Sequence, residues 1–383
     1  MGVIRVKKIK HIKKLKYDTT LEINSKNLVS NLNYFRSKLL PTTKIMVMVK
    51  AYGYGLGPFG VSKLVENNAV DYLGVANILE GVELRKAGIN LPIMIMKPEL
   101  ESFDLIIEYQ LSPVIFSFHS FQALLKALKK HPTKFNSFKI NIKLDTGMHR
   151  LGFSPDEVPE LIKQLKKHTN IKIESVFSHL AASDQPEHDE FTHFQIQLFE
   201  KLSGEIAQST PYKFDKHILN SNGALRFTHA QYDMVRIGIG LYGFVSDPED
   251  AKHIKNVAVL KTKIAQLKTI PKGDSVGYGR RGLAKKETLI ATVPIGYADG
   301  ISRRIGNGNW QVKLNGKFAP TIGSVCMDML MIDVTGIDCK EDDEAFIFYD
   351  QASTKQLSEL LQTIPYEILS SISPRVKRLF LSK

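Results

Sequence analysis

Lys50 closes the apolar run at residues 45–49 and opens into Ala51-Tyr52-Gly53-Tyr54-Gly55-Leu56-Gly57, which sets an amine at a strand end beside a loop with three glycines. Burial penalises the charged form of an amine, so a partly desolvated lysine holds its proton less tightly and can condense with an aldehyde. A structural strand-end lysine satisfies the same pattern. A second run, Lys139-Ile140-Asn141-Ile142-Lys143-Leu144-Asp145, puts Asn141 and Lys143 on one face by its period of two. A lysine turned inward is costly unless paired or chemically altered. Arg150, just beyond, has the planar fork that grips a carboxylate or a cofactor oxygen; a surface arginine and a lysine snorkelling to solvent are the alternatives. His179 and Asn220-Ser221 close two further apolar runs, and Arg236 is followed by Gly238-Ile239-Gly240, where a phosphate could approach the backbone.

Residues so far apart in sequence meet only if their elements converge. Eight short apolar runs lie at residues 45–50, 70–76, 91–96, 113–116, 138–144, 173–179, 215–220 and 233–240, most of them separated by helix-like stretches. Eight strand-then-helix units predict a closed (β/α)8 TIM-type barrel, in which all strand C-termini share one mouth. After residue 253 β-branched runs broken by turns predict a mainly β domain, with strands at 257–264, 289–294, 310–314, 321–325, 329–334 and 345–349. Asn315-Gly316 is a hairpin signal and Pro271-Lys272-Gly273-Asp274 a turn. The expected organisation is a basic leader at 1–17, the barrel at 18–252 and the α/β chain's β domain at 253–383.

Of 383 residues, 43% are hydrophobic and 24% charged, as in ordinary globular enzymes. The net charge of +13 is largely the work of the leader, whose seven basic residues between Arg5 and Lys16 have no acid among them. A solvated arm is expected there rather than a nucleic-acid contact. No window reaches the length of a membrane span. Two cysteines, Cys326 and Cys339, give neither a disulfide framework nor a metal spacing, consistent with a reducing, cytoplasmic setting and no metal.

Taken in order, Val49-Lys50-Ala51 with Tyr54-Gly55, Lys143-Leu144-Asp145-Thr146-Gly147-Met148 through Arg150-Leu151-Gly152, His179-Leu180-Ala181, Asn220-Ser221, Val235-Arg236 with Gly238, Tyr278-Gly279, Gly296-Tyr297-Ala298-Asp299-Gly300 and Cys326-Met327-Asp328 resemble alanine racemase, a pyridoxal-phosphate enzyme with a barrel and a β domain. The likeness implies interconversion of L- and D-alanine, D-alanine being a precursor of peptidoglycan. It implies that Lys50 carries the cofactor and serves as base on one substrate face, with Tyr278 as base on the other. Tyr54, Ser221, Gly238 and Ile239 would hold the phosphate, and Arg236 and His179 would flank the ring. Arg150, Met327 and Tyr297 would meet the substrate, and Lys143 would be a candidate for carbamylation. The partner would be a second copy, head to tail, whose Tyr278 completes the site; no nucleic acid or membrane is implied. The chain departs from the pattern at Leu56, where relatives commonly have histidine, at Gly53, and at Pro374, where many have tyrosine. A racemase for serine and a cofactor-binding barrel without catalysis are the rival readings.

Overall fold

The computed structural model describes residues 17–131 and 137–382, so the basic residues 1–16 lie outside it. The described residues form two compact units. One contains Ile23–Ala258, Pro365–Ser370 and the last residues from Phe380; the other contains Val259–Ile364, Ser371–Leu379 and the chain up to Glu22.

The first unit is a barrel of eight parallel strands: β1 (Lys44–Met48), β2 (Tyr72–Val75), β3 (Ile93–Ile95), β4 (Ser112–Ile115), β5 (Phe138–Lys143), β6 (Ile171–Phe177), β7 (Asp215–His217) and β8 (Met234–Ile237). They run in the order β7-β6-β5-β4-β3-β2-β1-β8. Asp233 N–H donates to Lys216 O at 3.1 Å and Arg236 N–H to Leu219 O at 3.0 Å, which brings β7 and β8 together and closes the ring. Helices cover the outside as their periodicity predicts. The helix Phe118–Lys130 buries Phe121, Leu124 and Ala127, starts on a Ser117 capping box and ends on Lys129 and Lys130, charges that suit a helix C-terminus.

Inward side chains stack in layers. At the N-terminal mouth Lys44 meets Asp215 at 2.6 Å and Lys139 lies 3.6 Å from Glu174. Glu174 is the extra residue of a bulge, because Ile140 pairs with Ile173 and Asn141 with Ser175. The slip matters above it: it turns Ser175 inward, toward Asn141 and His217.

In the second unit a six-stranded sheet runs Lys317–Pro320, Gln311–Leu314, Glu344–Phe348, Ala258–Lys263, Thr20–Asn24, Lys377–Leu381, beside a three-stranded sheet of Gln266–Ile270, Thr288–Val293 and Leu330–Asp333. Asn315 (φ 47°) and Gly316 (φ 77°) make the expected hairpin, with Leu314 opposite Lys317. The expected strand at 321–325 is absent. Only Thr321 bridges, to Ile332; Gly323 then turns to φ 71°, with the Val276 carbonyl so close that a Cβ there would lie 2.5 Å from it. Gln266–Ile270 escaped the hydrophobic pattern because neither of its faces is buried. Among the described residues no helix is long and apolar enough to cross a membrane.

Candidate active site

Lys50 stands at the C-terminal end of β1, at the start of a left-handed turn. Ala51, Tyr52, Gly53, Tyr54 and Gly55 all have positive φ, from 52° to 82°. L-residues resist that region by roughly 1–2 kcal/mol each, so the turn must be held from outside. Gly55 is required by a close approach as well: a Cβ there would sit 1.9 Å from Leu369 O. The carboxylate of Glu80 accepts from Ala51 N–H and Ala76 N–H, each at 2.7 Å. Burial lowers the pKa of Lys50, and the Arg150 and Arg236 charges lower it further against the opposing pull of Glu80. The amine is thus biased toward its nucleophilic form.

Across the barrel, Arg236 on β8 is buried. Its Nη1 lies 2.5 Å from Nδ1 of His217 and 3.3 Å from His217 O; Nη2 reaches Ser178 O (2.6 Å), Ile218 O (2.9 Å) and Nδ1 of His179 (3.0 Å). Those contacts use the Nη hydrogens, and Nε–H has no protein acceptor among the described residues. Burial brings the Arg236 pKa down to about 9, with Arg150 adding to the effect, which still leaves it protonated at neutral pH. Both histidines are held neutral, first by burial and then by Arg236. Each receives a donor at Nδ1 and so carries its proton on Nε2.

That tautomer propagates. His217 Nε2–H faces Ser175 Oγ at 3.1 Å, Ser175 Oγ–H donates to Asn141 Oδ1 at 2.7 Å, and Asn141 Nδ2–H donates to Pro113 O at 3.3 Å. His217 also stacks flat on Phe177, with centroids 4.8 Å apart. A directed chain of donors therefore crosses the interior behind the site. The inward period of Asn141 is the one sign of it along the chain; His217 follows Asp215 and Lys216 and does not stand out, and neither Ser175 nor Glu80 could be singled out without the bulge and the turn.

Lys143 is buried on β5, two positions from Asn141. Its pKa falls to about 8, chiefly through burial and then through Arg150 and Arg236, with Asp145 opposing. Glu80 and Asp145, the carboxylates whose charge reaches these lysines, are already engaged by backbone: Asp145 Oδ1 accepts from Gly147 N–H (3.0 Å) and His149 N–H (3.1 Å). Arg150 is exposed beyond that turn. The mouth therefore gathers cations without matching anions, an arrangement that fits an anionic ligand.

On the β7 and β8 side, Ser221 Oγ accepts from Gly238 N–H (2.9 Å) and Gly240 N–H (3.2 Å). A Cβ on Gly238 would lie 2.6 Å from the Tyr54 hydroxyl, so only glycine leaves that cradle open. Tyr54 stacks on Tyr242 at 4.6 Å, and Tyr242 donates to Met48 O at 2.8 Å, locking the ring in place. Ile239 is buried beside them. The barrel thus brings Lys50, Tyr54, Lys143, Arg150, His179, Ser221, Arg236, Gly238 and Ile239 to one mouth.

Tyr278, Tyr297 and Met327 belong to the second unit. Tyr278 is 71% exposed between Gly277 and Gly279, both at positive φ, and its carbonyl accepts from Ser324 Oγ at 3.4 Å. Tyr297 N–H donates to Cys326 O and Ala298 N–H to Met327 O, each at 3.0 Å, which packs those two loops together; Tyr297 and Met327 are exposed like Tyr278. Close to Pro374, Arg375 pairs with Asp328 at 2.8 Å. Among the described residues no group of histidine, cysteine or carboxylate side chains could hold a metal ion.

A (β/α)8 barrel with a reactive amine, an anion cradle and a protonated arginine offering one free N–H at the same mouth is the scaffold of a pyridoxal-phosphate enzyme: the donors match a phosphate, an aldehyde and a ring nitrogen. The chain belongs to the alanine racemase family, PLP-dependent amino-acid isomerases. The family's N-terminal domain matches residues 23–246 and its C-terminal domain residues 257–380. Alanine racemase of Clostridium novyi is 35% identical over 94% of both chains, and that of Helicobacter acinonychis 34% identical over 94% of this chain and 98% of its own. Among solved structures, Clostridium difficile alanine racemase superposes with a TM-score of 0.90 at 33% identity, covering 96% of this chain and 97% of that one. The Bartonella henselae enzyme, solved with covalently bound pyridoxal phosphate, gives 0.84 at 26% identity, covering 96% and 100%.

Proposed function

We propose that Lys50 and Tyr278 are the two acid–base groups of alanine racemisation, acting on opposite faces of the substrate, and that Tyr278 is supplied by the second copy of a head-to-tail homodimer. Inversion at a carbon needs one group to remove a proton and another to return one from behind. When bound, pyridoxal 5′-phosphate supplies an aldehyde for amine attachment and an electron-withdrawing ring that acidifies the substrate's α-hydrogen.

The chain's own residues do the rest. Lys50 offers its amine for attachment and, once freed, takes or gives the proton on its side. Tyr54, the Ser221 hydroxyl and Ile239 N–H would hold the phosphate, joined by Gly238 N–H, which donates to Ser221 Oγ at 2.9 Å and would turn to the phosphate on binding. Arg236, protonated at neutral pH with Nε–H to spare, would hold the ring nitrogen by donating to it while keeping its own proton, which would leave the ring a weak electron sink. Arg150 grips the substrate carboxylate, with Met327 and Tyr297 of the partner copy narrowing the space around a small side chain. His179, its Nδ1 engaged by Arg236, presents Nε2–H, which would stabilise a phenolate on Tyr278. A carbamylated Lys143 would give Arg150 the anion that its surroundings otherwise lack.

The observation that carries the shared site is the exposure of Tyr278: a phenol 71% exposed between two glycines at positive φ is presented for contact with a second copy. Mixing Lys50→Ala chains with Tyr278→Phe chains tests it. Heterodimers would contain one intact site, so activity should return to about a quarter of wild type, the statistical yield of random pairing in a two-fold dimer. If the mixture stays as inactive as its components, the two bases do not come from different chains.

A further inference from the structure

We propose that Glu80 is the positioning residue for Lys50: by bridging Ala51 N–H and Ala76 N–H it fixes the left-handed turn that aims the amine at the cofactor aldehyde. Lys50 is attached to a conformation that its own residues disfavour. Ala51, Tyr52 and Tyr54 gain nothing from positive φ, and the N–H of Ala51 is the first donor of the turn. Glu80 captures that donor with Oε1 at 2.7 Å while Oε2 takes Ala76 N–H, also at 2.7 Å, so one carboxylate ties the ends of β1 and β2 together.

Glu80 is itself anchored. It lies in the first turn of the helix Ile78–Lys86, whose N-cap Asn77 accepts from Glu80 N–H at 3.0 Å, and Glu99 receives Ile78 N–H at 3.1 Å. The carboxylate therefore ties the turn that follows the reactive lysine to a capped helix. Its charge has a second effect. The cations acting on Lys50 are Arg150 and Arg236, and Lys50 in turn acts on Lys143 and His179; Glu80 is the anion that opposes them at Lys50.

Two ligands separate this role from general support of the fold. Pyridoxal 5′-phosphate must meet the amine, whereas pyridoxamine 5′-phosphate lacks the aldehyde and reports only the phosphate and ring contacts. In apoprotein, Glu80→Gln turns an amide N–H₂ toward one of the two backbone donors and removes the anion. It should slow aldehyde loading, followed by absorbance, by about tenfold, the typical loss for a charged hydrogen bond, and shift its pH dependence to lower pH. The dissociation constant for pyridoxamine 5′-phosphate should change by less than about twofold, since Tyr54 is held separately by its stack on Tyr242 and the remaining phosphate and ring contacts lie at the ends of β7 and β8. Adding Ala51→Gly, which adopts positive φ without strain, should recover much of the loading rate in the Glu80→Gln background. If Glu80→Gln does not fold, Glu80→Asp, one methylene too short to span both N–H groups, serves the same comparison. Wild-type loading in either variant, or equal losses for both ligands, overturns the proposal.

Discussion

Arg236 and His217 meet inside the barrel with Nη1 of one 2.5 Å from Nδ1 of the other, and this contact sets the protonation of the whole interior chain through Ser175 to Asn141. A histidine pressed against a guanidinium cannot itself be charged without large cost, so the pair works only with His217 neutral.

Acid should therefore weaken the fold through its buried histidines. His179 and His217 both titrate well below their ordinary value, so near pH 6.5 and below the unfolded chain binds protons that the folded chain does not. Their contribution is fully present above about pH 6.5 and is lost as pH falls, by up to about 1.4 kcal/mol per pH unit for each. Urea unfolding of the apoprotein between pH 7 and 5, with His217→Gln alongside, checks this; the variant should show the shallower slope, and an unchanged slope would remove His217 from the account.

Arg236→Leu should be strongly destabilising apart from any effect on catalysis. It strips donors from Ser178 O, Ile218 O and two buried imidazoles at once. Each buried acceptor left without a donor typically costs about 1–3 kcal/mol. A urea midpoint within error of wild type would contradict the network as drawn.

Backbone geometry near Lys50 makes a paired prediction. Gly55→Ala meets both a φ of 82° and the Leu369 carbonyl at 1.9 Å, whereas Gly273→Ala has a φ of 93° with nothing within 4 Å. The second should cost about 1 kcal/mol of strain and the first clearly more, with impaired PLP uptake. Equal losses would mean that the Leu369 contact yields freely.

Lys143 is poised to react with carbon dioxide. An amine with a pKa near 8 is substantially unprotonated at mildly alkaline pH, and the cations around it favour an anionic product. Isotopically labelled bicarbonate should yield a carbamate carbon signal that disappears in Lys143→Ala. Its absence from the wild-type protein would leave Arg150 to be oriented by another anion.

Much of the barrel is legible along the chain because parallel strands buried on both faces read as largely apolar runs, and eight of them with amphipathic helices between admit few arrangements; the runs at 138–144 and 215–220 carry the buried polar residues Asn141, Lys143 and His217. Residue types at or near the run ends, Lys50, Arg150, His179 and Ser221, announce their chemistry, as does Arg236 inside its apolar strand, because a polar group within or closing an apolar run has to be accommodated somewhere. The β sheets are less legible, since the exposed strand Gln266–Ile270 has no buried face to pattern it and Gly323 breaks a run that composition alone reads as a strand.

What the tertiary structure decided is where backbone and neighbours force a residue off its expected course. Ser175 turns inward only because Glu174 is an extra residue against β5, and Glu80 reaches Ala51 only because five successive residues after Lys50 wind left-handed. Sequence fixes which groups are available, since side-chain chemistry is local. Their protonation states and directions depend on desolvation and on partners far along the chain, and those exist only once the barrel has closed.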